Sequence, residues 1–272
     1  MQPLTIVDPD WRGHGADPGL GTDTAALADA ALEGGALRLP PPGPGPPSGD
    51  LEAQAARFGE TLARLREAAP SRTLLLGATC GVEAAPVAYH SERWDGDLAV
   101  VWLDAHADLN TPSSSPSGRF HGMVLRTLLG DGPDSFVRHL RRLRAEQVVL
   151  AGLRAPDPPE TAFIEDAGIA VVPPERLLEA GALRDAVVAT GCRGVYVHVD
   201  LDVFALDAFP DVLMPTPGSG PTPADVVAAV AALAGALDVV GLSVVEFRDR
   251  SGRGLEDAAR LVGDLRSAVG WT

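Results

Sequence analysis

Short apolar runs bounded by turn residues alternate along the chain with stretches of helical periodicity. The runs are Leu4–Val7, Thr73–Leu76, Leu98–Leu103, Val148–Ala151, Ile169–Val172, Val195–Val199 and Val239–Val245. Helical spacing is read over Thr24–Leu32, Leu51–Ala68, Gly122–Leu129, Ser135–Leu143, Glu160–Ala167, Ala182–Ala189, Pro223–Leu237 and Gly254–Val269. Several of these begin after a Ser, Thr, Pro or Asp suited to the first helical turn. Buried strands separated by helices form a parallel sheet covered on both faces, so the expected fold class is α/β. The run Pro40–Gly49 can sustain neither a helix nor an inner strand. Residues 1–39 before it are too few for a core of their own, so it is expected to be a surface loop inside one domain spanning 1–272.

Composition narrows the chemistry. Of 272 residues, 46% are apolar, enough for a sizeable core, and no apolar run approaches the roughly 20 residues of a membrane helix. Twenty-two basic against 37 acidic residues leave a net charge of −15, which opposes the phosphate-tracking surface that nucleic-acid binding begins from. Every basic residue other than histidine is Arg, so chemistry needing an internal Lys (a Schiff base, a pyridoxal phosphate anchor, a P-loop) is excluded. Cys80 and Cys192 are too few for a disulfide framework, and the start of the chain lacks the pattern of a secretory signal. A reducing, cytoplasmic setting is expected.

The informative residues stand just after apolar runs, where ligands gather in parallel sheets. Leu98–Leu103 leads into Asp104-Ala-His106-Ala-Asp108-Leu-Asn110; Val195–Val199 leads into Asp200-Leu-Asp202; Val239–Val245 leads into Glu246. An isolated Asp after a strand is usually a cap or a turn residue. Three acid-bearing strand ends together are better explained by a shared cation, because buried carboxylates repel one another. Carboxylates with an imidazole suit intermediate to hard ions such as Mn2+, and two ions about 3.5–4 Å apart would use this many acids and generate a hydroxide near neutral pH.

These motifs resemble the arginase and agmatinase family, the ureohydrolases. Asp104-Ala-His106-Ala-Asp108 matches its Asp-Ala-His-x-Asp motif, and Asp200-Leu-Asp202 its later Asp-x-Asp motif. The resemblance implies a single three-layer α/β domain around an eight-stranded parallel sheet, with two Mn2+ ions held by Asp104, His106, Asp108, Asp200, Asp202 and a further ligand. That ligand belongs to a Gly-Gly-Asp-His strand end, matched here by Gly77-Ala78-Thr79-Cys80. Cys80 therefore stands where the family has histidine. It is either a soft thiolate ligand that shifts metal preference toward zinc or iron, or a small apolar residue.

The resemblance also implies roles around the metals. Asn110, Ser115 and Ser117, in the loop ending at His121-Gly122, would hold a substrate α-carboxylate; Ser113 and Ser114 are expected to be ordinary loop residues. Asp157 and Glu160 would bind an α-amino group, although Asp157 could instead cap the following helix. Asp108 would ligate and orient the attacking hydroxide, His121 would pass a proton to the leaving amine, and Glu246 would pair with the flat guanidinium. The implied reaction is manganese-dependent hydrolysis of a guanidino amino acid to ornithine and urea or hydroxyurea. Cysteine at position 80 resembles a subgroup associated with N-hydroxyarginine hydrolysis, which favours N-hydroxy-L-arginine over L-arginine. Formiminoglutamate hydrolysis on the same fold and a metal-poor ligand-binding pseudoenzyme are the alternatives. The expected partner is this small substrate, with homo-oligomers common in the family. His14, His90 and His139 are read as surface or partly packed residues, and His198 as a group standing behind the metals or replacing the missing imidazole.

Overall fold

A computed structural model describes residues 2–15, 17–43, 51–138, 140–179 and 181–271. In chain order the elements are β1 (Leu4–Asp8), α1 (Gly19–Ala31), β2 (Leu37–Arg38), α2 (Leu51–Ala68), β3 (Thr73–Gly77), α3 (Ala84–Arg93), β4 (Leu98–Leu103), α4 (Val124–Leu128) and α5 (Asp134–Val137). There follow β5 (Val148–Ala151), α6 (Pro158–Ala167), β6 (Ala170–Val172), α7 (Pro174–Leu177), α8 (Ala182–Val188), β7 (Gly194–Asp200), α9 (Pro223–Ala234), β8 (Asp238–Val245) and α10 (Gly254–Ala268). The eight strands form one parallel sheet in the order β2-β1-β3-β8-β7-β4-β5-β6.

Alternation along the strands splits the core into two layers. Val101, Leu103, Val197 and Val199 face α1, α8, α9 and α10, packing with Leu27, Val187, Val230 and Leu261. Val100, Trp102 and Tyr196 face α2 to α5, packing with Phe58, Leu62, Val87, Leu125 and Phe136. The result is the expected three-layer arrangement.

The elements depart from the sequence reading at places with local causes. β2 adds an eighth strand to the seven apolar runs, and at two residues it is too short to show a pattern. α3 was not expected. From Ala84 to Ser91 every residue is buried, so the segment has no polar stripe to mark a helical period. The helix expected over Ser135–Leu143 stops at Val137, and Leu143 is instead pinned by its N–H to the Leu128 carbonyl at 2.9 Å. α1 starts at Gly19, ahead of the expected Thr24. Residues 40–43 of the proline-rich loop carry no regular structure, and 44–49 lie outside the described residues, as does His139.

The strand order positions the site. β3, β8, β7 and β4 lie side by side at the centre, so chain ends up to 166 residues apart in sequence emerge together: Cys80 after β3, Glu246 after β8, Asp200 at the end of β7 and Asp104 after β4. β3 and β4 follow each other in the chain yet are separated by β8 and β7. This reversal opens a crevice at the carboxyl edge, the usual seat of a ligand in such sheets.

Candidate active site

The residues after β4 form a tight turn fastened on both sides. Asp104 Oδ1 accepts the His106 N–H at 2.6 Å, and Asp202 Oδ1 accepts the Ala105 N–H at 3.1 Å, which ties the β4 turn to the β7 turn. Asp200 Oδ1 accepts the Asp202 N–H at 2.7 Å. Asp108 and Glu246 both adopt left-handed backbone, with φ of 52° and 63°. Such a conformation costs a non-glycine residue about 1–2 kcal/mol, and strain of this kind concentrates where function requires a particular side-chain position.

The residues given catalytic, substrate-binding or metal roles from sequence, apart from Asp202, line one cleft of about 250 Å³. Asp202 lies behind it, with Oδ2 2.9 Å from His106 Nδ1. On the floor, the Cys80 thiol donates to Asp200 Oδ2 at 3.0 Å and lies 3.4 Å from Glu246 Oε1. Glu246 Oε1 is also 3.0 Å from His121 Nδ1. At the mouth, Asn110 Nδ2 donates to Asp157 Oδ2 at 2.8 Å, and Asn110 Oδ1 accepts the Ser114 hydroxyl at 2.9 Å. Ser114 thus bonds within its own loop, to Asn110 and the Thr111 N–H, as an ordinary loop residue does. Ser115 and Ser117 accept the N–H groups of Gly118 and Arg119 at 3.0 and 3.2 Å. Glu160 is engaged at both oxygens, accepting the Leu109 and Asp157 N–H groups at 2.8 Å each, and with Asp157 it forms a capping box on α6.

Charge in this space is strongly frustrated. Burial, then repulsion from Asp104 and Glu246, pushes Asp108 well above the carboxylate range. Burial with Asp202 and Glu246 does the same to Asp200. Asp202 is raised to about 7 by burial and Asp104, and Cys80 is raised by burial and the surrounding acids. Although burial pulls it down, His106 is carried up to about 12 by Asp104 and Asp202. Burial works against Glu246 too, but His121 holds its carboxyl below its ordinary value. Asp108 Oδ2 is buried with no hydrogen-bond partner among the described residues. Three donor groups converge here: Cys80, Asp200 and Glu246; Asp104, His106 and Asp202; and Cys80, Asp104, Asp108 and His198, each with ligand atoms within 4.8 Å of one another. An unpartnered carboxylate oxygen, crowded acids and adjoining imidazole and thiol donors fit divalent cations, which relieve the repulsion and accept the lone pairs.

Several contributors have no sequence signal. The His14 ring stands edge-on to His121 with centroids 5.2 Å apart, and Arg119 Nη1 lies 2.9 Å from His14 Nε2; burial lowers His14 to about 4. Arg154 donates to the carbonyls of Asp202, Val203 and Phe204 at 2.6, 2.9 and 3.0 Å, clamping the turn after β7. His90 is fully buried rather than superficial, 2.9 Å from the Thr73 hydroxyl.

A family model described as the arginase family matches residues 49–265. The chain belongs to the arginase family. An arginase from Staphylococcus aureus (strain COL) is 36% identical over 152 residues, covering 54% of this chain and 48% of the relative. The N(omega)-hydroxy-L-arginine amidinohydrolase of Streptomyces lavendulae is 36% identical over 157 residues, covering 56% and 55%. These matches thus span about half the length of the curated relatives. Over the whole fold, the crystal structure of arginase from Bacillus subtilis superposes with a TM-score of 0.84 at 25% identity, covering 99% of each chain. The eight-stranded arginase-like sheet expected from the motifs is therefore present. Among the described residues, no helix is long and apolar enough to cross a membrane.

Proposed function

We propose that this arginase-family chain is a manganese-dependent hydrolase of a guanidino amino acid, N-hydroxy-L-arginine or L-arginine, releasing ornithine with hydroxyurea or urea. The observation that carries the reading is the convergence of acids, imidazole and thiol from four adjacent strand ends beneath a cleft whose mouth is built from Asn110 and the serine loop. Asp104, His106, Asp108, Asp200 and Asp202 would hold two Mn2+ ions, with Cys80 beside them. When bound, such ions supply an activated water for attack and positive charge to offset the carboxylates.

The chain's own groups account for the remaining steps. Glu246 offers a flat carboxylate to a flat guanidinium, a good match for paired hydrogen bonds. His121 is held at Nδ1 by Glu246, and its other ring nitrogen would give a proton to the δ-nitrogen as the carbon–nitrogen bond breaks. Asn110 and the hydroxyls of Ser115 and Ser117 would receive the α-carboxylate, while Asp157 and Glu160 supply negative charge for the α-ammonium. Cys80 favours the N-hydroxy substrate, because an N-hydroxyguanidine is less basic and brings its own oxygen to a centre in which a thiol stands where the family has histidine. The Streptomyces lavendulae relative, named for that substrate, supports the same preference.

The test is product release from the manganese-loaded protein offered arginine, N-hydroxyarginine and formiminoglutamate in parallel. Turnover of N-hydroxyarginine, with arginine slower, is expected; turnover of the formimino compound alone would overturn the reading. Two variants sharpen it. Asn110→Ala removes a hydrogen bond to a charged group, worth about 1.5–3 kcal/mol, so KM for substrates bearing an α-carboxylate should rise roughly 10- to 100-fold with kcat little changed. Equal KM values for both proteins would remove Asn110 from substrate binding. Cys80→His should raise manganese affinity and move preference toward arginine; unchanged metal content and selectivity would return Cys80 to the role of a small packed residue.

A further inference from the structure

The layer of side chains just beneath the site contains a histidine that the reading above leaves without work. His198 precedes Asp200 by two positions on β7 and pairs in register with Trp102 on β4, itself two positions before Asp104. Its ring stacks on Trp102, with centroids 3.6 Å apart and planes 15° apart, while Trp102 Nε1 donates to Asp104 Oδ2 at 3.2 Å. The orientation of the imidazole is thus fixed by packing. His198 is 0% exposed, and neither ring nitrogen makes a hydrogen bond among the described residues. A buried imidazole left in that state is costly unless another partner completes it.

What surrounds the two nitrogens differs. Nδ1 lies 3.4 Å from Glu83 Oε2, a carboxylate buried in the same layer whose other oxygen accepts the Ser243 hydroxyl. Nε2 faces the acids, 3.8 Å from Asp104 Oδ2. A carboxylate beside Nδ1 keeps a proton on that nitrogen, so Nε2 is the nitrogen that gives up its proton and offers a lone pair when a cation binds. Carboxylate, imidazole and metal in sequence is the usual way a protein orients a ligating histidine. On the metal side, ring nitrogen, Cys80 sulfur and the carboxylates of Asp104 and Asp108 lie within 4.8 Å of one another. A cation at roughly 2.0–2.3 Å from each donor would need only a modest contraction of the group.

We infer that His198 ligates a divalent cation through Nε2, completing with Cys80, Asp104 and Asp108 a site of mixed nitrogen, sulfur and oxygen donors, and that Glu83 is its positioning residue. The imidazole absent at position 80 is supplied from one strand layer below. The inference rests on the metal reading above. A site with a thiolate and an imidazole also suits borderline ions such as cobalt, zinc or cadmium better than an all-carboxylate one.

Protein labelled with nitrogen-15 in its histidines and loaded with cadmium-113 gives a direct readout. Two histidine side chains, His106 and His198, are expected to show nitrogen–cadmium coupling, and one of the two signals should vanish in His198→Gln. Cadmium affinity at that site should fall at least about 100-fold in the variant, more than the loss of an outer partner commonly costs. The count in the unaltered protein decides the matter even if the variant does not fold. A single coupled histidine, with cadmium bound, overturns the assignment of His198 and leaves the metal reading intact. No bound cadmium overturns both.

Discussion

Asp200→Ala is expected to remove metal and hydrolysis together while leaving the fold in place. Asp200 is buried at the end of β7, where its carboxylate joins the Cys80 thiol and the Asp202 backbone. Losing a group that ligates should exceed the roughly 10- to 100-fold effect of losing an outer partner, so activity should drop by at least about 1,000-fold. The metal-free variant should nevertheless be no less stable than the metal-free parent near pH 8, since one repelling acid has gone from a crowded cluster. Metal analysis, turnover and thermal melts on the same preparation check all three outcomes. Full metal content in the variant would show that Asp200 is not a ligand.

The second large effect is a pH-dependent stabilisation by metal. Unfolded, the aspartates titrate near their ordinary value of 3.8, whereas in the fold Asp202 rises to about 7 and Asp108 and Asp200 rise well above that ordinary value. Between about pH 4 and 7 the metal-free fold therefore binds more protons than the unfolded chain, and its stability falls as pH rises. His106, raised to about 12, acts in the same direction at higher pH: its contribution is complete below the ordinary 6.5 and is lost as pH climbs toward 12. Asp104 and Glu246, held below their ordinary values, contribute in the opposite sense and lose that contribution only in acid. Cations compete with these protons and replace them as pH rises. A saturating divalent ion adds about 3–4 kcal/mol, which for a chain of this size raises Tm by roughly 10 °C. That increment should appear near pH 8 and shrink toward pH 5.5. An equal shift at both pH values would mean that the ion binds away from these acids.

Most of the sheet was legible because its strands are contiguous apolar runs, and the acids at their ends are fixed by the local chain. The motif from Asp104 to Asp108 and the pair Asp200 and Asp202 could be found for that reason. Their meeting in space could not be derived from periodicity, since it depends on β8 and β7 lying between β3 and β4. The left-handed backbone at Glu246 has no signature in residue type, and at Asp108 only the weak one that aspartate tolerates this region better than most side chains. α3 has no polar face to mark it, and nothing in the sequence links His14 to the His121 ring that it meets across 107 positions. Ser114 illustrates the finer limit: within one serine loop, hydrogen-bond geometry and not composition decides which hydroxyl holds Asn110.

The most direct test of the central claim is the metal content of the protein after loading with manganese and exhaustive dialysis. Convergence of these acids on divalent cations predicts about two ions per chain, lost on treatment with a chelator and regained on reloading. A chain that folds and melts cooperatively yet retains no metal under those conditions would contradict the proposed centre, and with it the hydrolase reading built upon it.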